Sequence, residues 1–259
     1  MSIKGDFIMR TKIIALLLVF ALSFCFFASC NKNKSNDNYK ATVVMSFSST
    51  DEALAAAIAE LGSSTYTVYS LDDDLKIESA IAMDGISINR VYTLSDGKIY
   101  NTTDVAAGGK TASEREKADF TPIDRAELIV AVGAGAVLDK DDFGTVTLVD
   151  ENKKQKTESY VCSEINEESK ASVTSIFEKK FASLDAAVVL DDAQYYVEYK
   201  NEVITSYILN ASFAITIGGV TYSVSMSVEC VYDYDAKFEI SLPEGADSYT
   251  EVRYEDIFG

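Results

Sequence analysis

Acidic residues and cysteines are the side chains in this 259-residue sequence that could do chemistry, because it contains no His. Without His there is no Ser-His-Asp or Cys-His couple, no imidazole base near neutral pH and no His-containing zinc site. Paired carboxylates could serve a glycosidase, but the 41 Asp and Glu residues make chance pairs inevitable, and no pair stands out. We therefore predict no catalytic residues, no metal site, no cofactor and no enzymatic activity.

Cys30 is the cysteine whose surroundings indicate a specific reaction. The segment Phe27-Ala28-Ser29-Cys30 resembles a bacterial lipobox, in which small residues precede a Cys that is diacylated and becomes the first mature residue. Cys25 is a poorer candidate because Phe24 directly precedes it, where a small residue is needed. The sequence therefore predicts lipidation at Cys30.

The residues before Cys30 are typical of an export signal. Lys4, Arg10 and Lys12 precede the uncharged run 13–27, which has about the length of a signal-peptide apolar core. The alternative is an uncleaved membrane anchor, for which the run is short. We expect residues 1–29 to be a lipoprotein signal peptide and residues 30–39 to be the lipidated Cys and a flexible tether, with the protein held in the cell envelope on the outer side of the cytoplasmic membrane or in the outer membrane.

The net charge is −18 at pH 7. Phosphate backbones are bound mainly through Lys and Arg, so nucleic acid is not an expected partner. An acidic domain is also not attracted to an anionic leaflet by electrostatics, so membrane contact is expected through the N-terminal lipid alone.

Residues 40–259 are predicted to form a single domain, since no Pro-rich or Gly-rich linker divides them. Tight turns at Asp84-Gly85 and Asp96-Gly97 predict a three-strand meander, because Asp-Gly suits positive φ at both central positions. Lys153-Lys154 lies within a further hairpin. Lys200-Asn201 and Gly218-Gly219 separate three long runs, which we expect to be the longest strands.

The last long run alternates between apolar and polar residues, as expected for an antiparallel sheet that is buried on one face. Its apolar set includes Tyr222, Val224, Met226 and Val228, opposite a set rich in Ser. The preceding run places Val203, Leu209 and Phe213 on one face.

Helices are the expected cover for this face. Ser49-Thr50-Asp51-Glu52 fits a capping box that begins a short amphipathic helix. Asn166 can cap a second helix, in which Phe177 and Phe181 recur at helical spacing and are expected to face the sheet. The segment 121–138 is ambiguous between helix and strand, and its Thr-Pro start favours helix.

This order of elements resembles the half-barrel lipoproteins of the LolA and LppX type. It comprises a lipobox, a tether, an early helix, hairpins, a mid-chain helical insert and a long meander that ends in Ile240-Ser241-Leu242-Pro243. The resemblance implies an α+β fold, a curved antiparallel β-sheet (half-barrel) with helices over its concave face. It also implies an apolar cavity that binds a lipid or another hydrophobic ligand. The expected lining residues are Val203, Leu209, Phe213, Tyr222, Val224, Met226, Val228, Phe177 and Phe181.

Two alternatives to lipid binding stay open. In the first, the chain fills the cavity itself, through its helices or the segment 126–138, and the protein acts through protein–protein contacts. In the second, which ranks below both lipid binding and protein–protein contacts, the protein is a hydrolase that uses carboxylates.

Cys162 and Cys230 would remain after export, in a compartment where disulfides persist. They could form a disulfide if their Cα atoms approach within about 7 Å. The alternative is two small buried side chains.

Overall fold

A computed structural model describes residues 38–257, apart from 62, 84, 122–124, 126–127, 130–131, 133, 135–137 and 182–185. The predicted signal peptide and Cys30 therefore lie outside the described residues. The described chain forms one sheet of 12 strands. These are β1 Tyr39–Ser49, β2 Ser64–Leu71, β3 Asp74–Met83, β4 Ile86–Ser95, β5 Lys98–Ala107, β6 Lys110–Asp119, β7 Phe143–Asn152, β8 Thr157–Ile165, β9 Ala186–Lys200, β10 Val203–Ile217, β11 Val220–Asp233 and β12 Thr250–Glu251.

Helices are a minor part of the described structure. They are α1 Glu52–Leu61, α2 Glu167–Phe181 and the single turn α3 Tyr254–Ile257, with short 3-10 turns at Lys140–Asp142 and Ala246–Ser248. No helix among the described residues has the length and apolar character needed to span a membrane.

The strand order is β12-β6-β5-β4-β3-β2-β1-β11-β10-β9-β8-β7. Neighbouring strands run antiparallel, except for β12, which pairs in parallel with β6. Strands β2 to β6 form one meander and strands β7 to β11 form a second. Strand β1 joins the two meanders, because it pairs with β2 on one side and with β11 on the other. Val43, for example, lies between Tyr66 of β2 and Cys230 of β11, and all three side chains are buried.

The expectation of an α+β half-barrel with helices over a concave face is wrong, because the protein is nearly all β. One hydrophobic cluster contains core-facing side chains from both meanders, such as Leu75 and Leu94 from the first and Phe213 and Val224 from the second. Strand residues therefore make up most of that cluster. The two longer helices, of 10 and 15 residues, add only Leu54, Ile58 and Val173 to that cluster among the described side chains.

Two of the predicted turns lie where the sequence indicated, whereas the turn after β9 is Asn201-Glu202, one residue later than the predicted Lys200-Asn201. Asp96 and Gly97 have φ of 54° and 74°, and Gly218 and Gly219 have φ of 57° and 81°. A two-residue hairpin turn needs positive φ at both central residues if its twist is to match that of the two strands, and these values meet that requirement. Strands β9, β10 and β11 are also the longest, with 15, 15 and 14 residues.

The first helix begins differently from the predicted capping box. Asp51 is the residue that caps α1, since its carboxylate accepts a hydrogen bond from the Leu54 amide at 3.0 Å. Ser49 instead accepts from the Asp51 amide at 3.1 Å and donates to the Ser223 carbonyl at 2.6 Å. Ser49 therefore ties the start of the helix to β11.

Candidate functional site

The residues predicted to line a ligand cavity lie mainly in the packed interior. Six of them are between 1% and 6% exposed, on the core faces of β10 and β11: Leu209, Phe213, Tyr222, Val224, Met226 and Val228. Val203 is half-buried at the start of β10. The side chains of Phe177 and Phe181, in α2, lie outside the described residues.

The segment 121–138 contributes to the same interior. Its described residues Leu128, Val132, Ala134 and Leu138 are buried members of the hydrophobic cluster. The Val132 amide donates to the Leu128 carbonyl at 3.3 Å, which is helical spacing. The Tyr232 hydroxyl donates to the carbonyl of Ala134 and so joins the segment to β11. The chain therefore places its own residues against the sheet face that was expected to bind a ligand.

Cys162 and Cys230 are both free and buried. They lie on β8 and β11, with β9 and β10 between these strands. Burial raises the pKa of the Cys230 thiol to about 12, and burial likewise raises the pKa of Cys162. Because the thiolate is the reactive form, neither side chain is suited to nucleophilic chemistry.

A cleft of about 710 Å³ lies at the end of the sheet where the β7–β8 and β9–β10 turns meet. We call it the loop cleft. Its volume is within the range of about 300–1,000 Å³ that is usual for ligand pockets. Its lining is polar and of mixed charge: Lys140, Glu151, Asn152, Lys153, Lys156, Thr157, Glu158, Tyr199, Asn201 and Glu202.

Two tyrosine rings hold a lysine ammonium at this cleft. The Lys140 ammonium nitrogen lies 4.0 Å from the ring centroid of Tyr160 and 4.7 Å from that of Tyr199. The rings themselves meet edge to face, with centroids 6.0 Å apart and planes at 83°. We call this pair the tyrosine corner. An ammonium within about 6 Å of a ring centroid is attracted by the negative face of the ring.

Hydrogen bonding and burial fix the two tyrosines in place. The Tyr160 hydroxyl donates to the Glu158 carboxylate at 2.6 Å, and that bond is the main cause of the raised pKa of Tyr160. Burial, with a smaller contribution from Asp139, raises the pKa of Tyr199 to about 12. Both phenols are therefore neutral near pH 7.

The turns beside the tyrosine corner have unusual backbone geometry. Lys156, Asn201 and Glu202 have φ of 53°, 52° and 68° although none of them is Gly. Asn adopts this left-handed region fairly often, whereas Lys and Glu do so rarely. The Asn201 amide donates to the Lys156 carbonyl at 2.9 Å, so the two turns hold each other in these conformations. Asn201 and Glu202 are the two central residues of the β9–β10 hairpin turn, where positive φ is the usual geometry.

A second, smaller depression of about 300 Å³ lies on the outer face of the sheet. Strand pairing puts Ser46, Ser227, Asn210 and Gln194 in one row across four strands, and Ser48, Ser225, Ser212 and Asp192 in the next. The short side chains of these two rows leave the space, and the next row on one side carries the larger residues Glu229, Ile208 and Tyr196.

A polar network also lies on the core face of β4 to β6. Arg90 donates through Nε to the Thr103 hydroxyl at 3.0 Å and through an η nitrogen to the Tyr92 hydroxyl at 3.1 Å. Thr103 donates to the Asn101 side-chain oxygen at 2.9 Å, and Asn101 donates to Glu116 at 3.1 Å. The network satisfies groups that would be costly to bury alone.

Sequence reasoning did not find the tyrosine corner or this network. Arg90 shares its strand face with Tyr92 and Leu94, so the alternation of β4 carried a signal for an inward-facing Arg. The tyrosine corner had no such signal, because Lys140 is brought to Tyr160 and Tyr199 only by the packing of the 3-10 turn on β8 and β9. Within the described ranges, no group of three or more His, Cys, Asp and Glu side chains could hold a metal ion.

Comparisons with known proteins leave the family of this chain open. No protein-family model matches it, and no curated protein matches it. Among solved structures, the ywiB protein from Bacillus subtilis is similar at 9% identity with a TM-score of 0.21, over 79% of this chain and 99% of that one. The 12:0-ACP thioesterase from Umbellularia californica is similar at 10% identity with a TM-score of 0.12, over 75% and 72% of the two chains. TM-scores this low indicate neither a shared fold nor a shared function.

Proposed function

We propose that this protein is a lipid-anchored, extracytoplasmic binding protein that acts through its exterior, with an interior filled by its own chain. The observation that carries the proposal is the burial of Leu128, Val132, Ala134 and Leu138 in the cluster that also contains the expected ligand-facing residues of β10 and β11. An apolar ligand in that position would have to displace them.

The proposed location follows from the N-terminal sequence. The basic start, the uncharged run 13–27 and the small residues Ala28 and Ser29 before Cys30 support export followed by diacylation. A single covalent anchor of this kind would hold the folded part near a membrane surface, in the cell envelope.

Binding through the exterior is supported by where the clefts lie and what lines them. Both the loop cleft and the serine-rich depression are lined mainly by polar side chains and open at the surface. The loop cleft is the larger and lies on turns, which are the usual carriers of binding residues on a rigid scaffold. We propose it as the contact site for a polar ligand or for a segment of a protein partner.

Lipid carriage is a second candidate function, and one observation favours it. The hydroxyls of Tyr195 and Tyr222 are buried in the core without a hydrogen-bond partner among the described residues. Buried polar groups are nearly always paired, so each hydroxyl calls for an internal water or a polar atom of a bound ligand. A lipid headgroup inside the sheet would supply such an atom.

Native mass spectrometry of the protein purified from its own membrane tests both parts of the proposal. We expect the mass of the chain from Cys30 onward plus one covalent diacylglyceryl group, and no further non-covalent lipid. The Cys25→Ala protein is the matched control and should give the same mass, whereas Cys30→Ala should lose the covalent lipid. A second, non-covalent lipid at a one-to-one ratio would favour the carrier, and a lipidated Cys30→Ala protein would overturn the proposed anchor.

A further inference from the structure

The tyrosine corner already shows which chemical group it binds. A primary ammonium lies over the faces of Tyr160 and Tyr199 at 4.0 and 4.7 Å. That ammonium belongs to Lys140, on a 3-10 turn that a capping box between Asp139 and Asp142 fixes. Among the described residues, Lys140 has no carboxylate within ion-pair distance, so the two rings are its binding site.

The surroundings favour a cation from outside the protein. The chain has a net charge of −18, which attracts cations and repels anions at long range. At short range, Glu158 lies beside the corner and accepts a hydrogen bond from the Tyr160 hydroxyl, so it is the carboxylate that favours a cation at the rings. The rest of the cleft is balanced in charge, because its other Glu residues, Glu151 and Glu202, are matched by Lys153 and Lys156, and Glu151 pairs with Lys153 at 3.7 Å. The cleft of about 710 Å³ has room for a small ligand beside the corner.

From this geometry we infer that the tyrosine corner is a binding site for an ammonium-bearing ligand, and that Lys140 occupies it as an internal competitor when the ligand is absent. The ligand class is a small molecule or a side chain that carries a primary or quaternary ammonium. Lys140 is half-buried, and its long side chain has room to turn its ammonium from the rings toward solvent.

Lys140 sets how tightly the site binds. A ligand must displace the lysine from the rings and then tolerate its charge nearby, so both effects weaken binding to the natural protein. Removing Lys140 removes both effects. The Lys140→Ala protein should therefore bind an ammonium ligand more tightly than the natural protein does.

This inference rests on the proposed function only in taking the loop cleft as a binding site. The lipid anchor and the filled interior have their own test in the mass measurement, which does not depend on this site. Failure of the two ideas can therefore be told apart.

The test is isothermal titration calorimetry of the full mature protein with choline as the probe. Attraction to each ring is expected to strengthen binding of a cation by a few-fold. We therefore expect Lys140→Ala, with both rings uncovered, to bind choline about tenfold more tightly than the natural protein does. Lys153→Ala is the matched control, since it removes the same charge from the same cleft without uncovering the rings, and we expect a change of less than about twofold. A misfolded variant could not gain affinity, so the expected result cannot arise from damage to the fold.

A second probe separates attraction to the ring faces from plain apolar burial. The second probe is the uncharged alcohol in which a carbon atom replaces the choline nitrogen. It has the shape of choline without its charge. This alcohol should bind Lys140→Ala about tenfold more weakly than choline does. The inference would be overturned if Lys140→Ala bound the two probes equally well, or if it did not bind choline. It would also be overturned if Lys140→Ala and Lys153→Ala gained the same affinity for choline.

Discussion

Replacing Phe213 with Ala should reveal how tightly the interior is packed. Phe213 is 1% exposed and lies on β10 between Leu190 of β9 and Val224 of β11, each also 1% exposed. In a close-packed interior, the substitution loses the transfer free energy of the ring and leaves a cavity, which together cost about 3 to 5 kcal/mol of unfolding free energy. If the ring faced an open ligand cavity, little packing would be lost and the cost would be below about 1.5 kcal/mol.

Equilibrium unfolding in urea, followed by far-ultraviolet circular dichroism, measures this difference. For a domain of this size the expected loss lowers the melting temperature by roughly 6 to 20 °C. Ser212→Ala is the matched control, because Ser212 is the next residue on the outer face and should change stability by less than about 0.5 kcal/mol. A Phe213→Ala protein that loses less than about 1.5 kcal/mol would refute a self-filled interior.

Three further predictions concern thiols, pH and turns. In the proposed mature protein, whose Cys30 sulfur would carry the lipid, a thiol reagent should find no reactive thiol in the folded state and two after unfolding. Finding none after unfolding would mean a disulfide between Cys162 and Cys230. Burial raises the pKa of Cys230 from 9.0 to about 12, so the unfolded state alone loses this proton in that interval. The contribution of the protonated Cys230 thiol to stability is therefore complete below pH 9 and falls as the pH rises toward 12. Between these pH values, the urea midpoint of Cys230→Ala should fall less than that of the natural protein. Gly97→Ala should lower the free energy of unfolding by about 1 to 2 kcal/mol, because φ of Gly97 is 74° and Ala is strained there. An added Cβ meets no atom within 4 Å, so backbone strain is the only cost. An unchanged urea midpoint would contradict this prediction.

Local patterns in the sequence were sufficient for the turns and for the buried face. Asp96-Gly97 and Gly218-Gly219 have the chemistry that a two-residue hairpin turn requires, and the structure confirms both turns. The alternation through Tyr222, Val224, Met226 and Val228 likewise places these residues in the core. In each case the signal lies within one hairpin or one strand.

The fold class depended on contacts between distant segments, and there sequence reasoning was wrong. Pairing of β1 with β11 makes one sheet out of two meanders, but the partners lie more than 170 residues apart in the chain and no local pattern indicates it. Strand β6, Lys110–Asp119, carries alternating charges and has only one buried side chain, so its composition does not suggest a strand. Because β1 and β6 were not predicted, the extent of the sheet was underestimated and helices were expected to form a larger part of the fold than they do.

The tyrosine corner was missed for a related reason. Lys140, Tyr160 and Tyr199 come from a 3-10 turn and two strands, and each residue alone is ordinary in its segment. Their arrangement is a property of packing. Charge composition gave a partial signal, since a strongly acidic chain favours cationic ligands, but it did not locate a site.

Thiol accessibility at position 132 is a direct test of whether the chain fills its own interior. Val132 is 5% exposed within the segment that packs against the sheet. A Val132→Cys protein should stay unreactive toward a maleimide until it is unfolded, while Ser225→Cys, on the outer face, should react at once. Labelling of both variants at the same rate in the folded protein would show that the segment does not fill the interior.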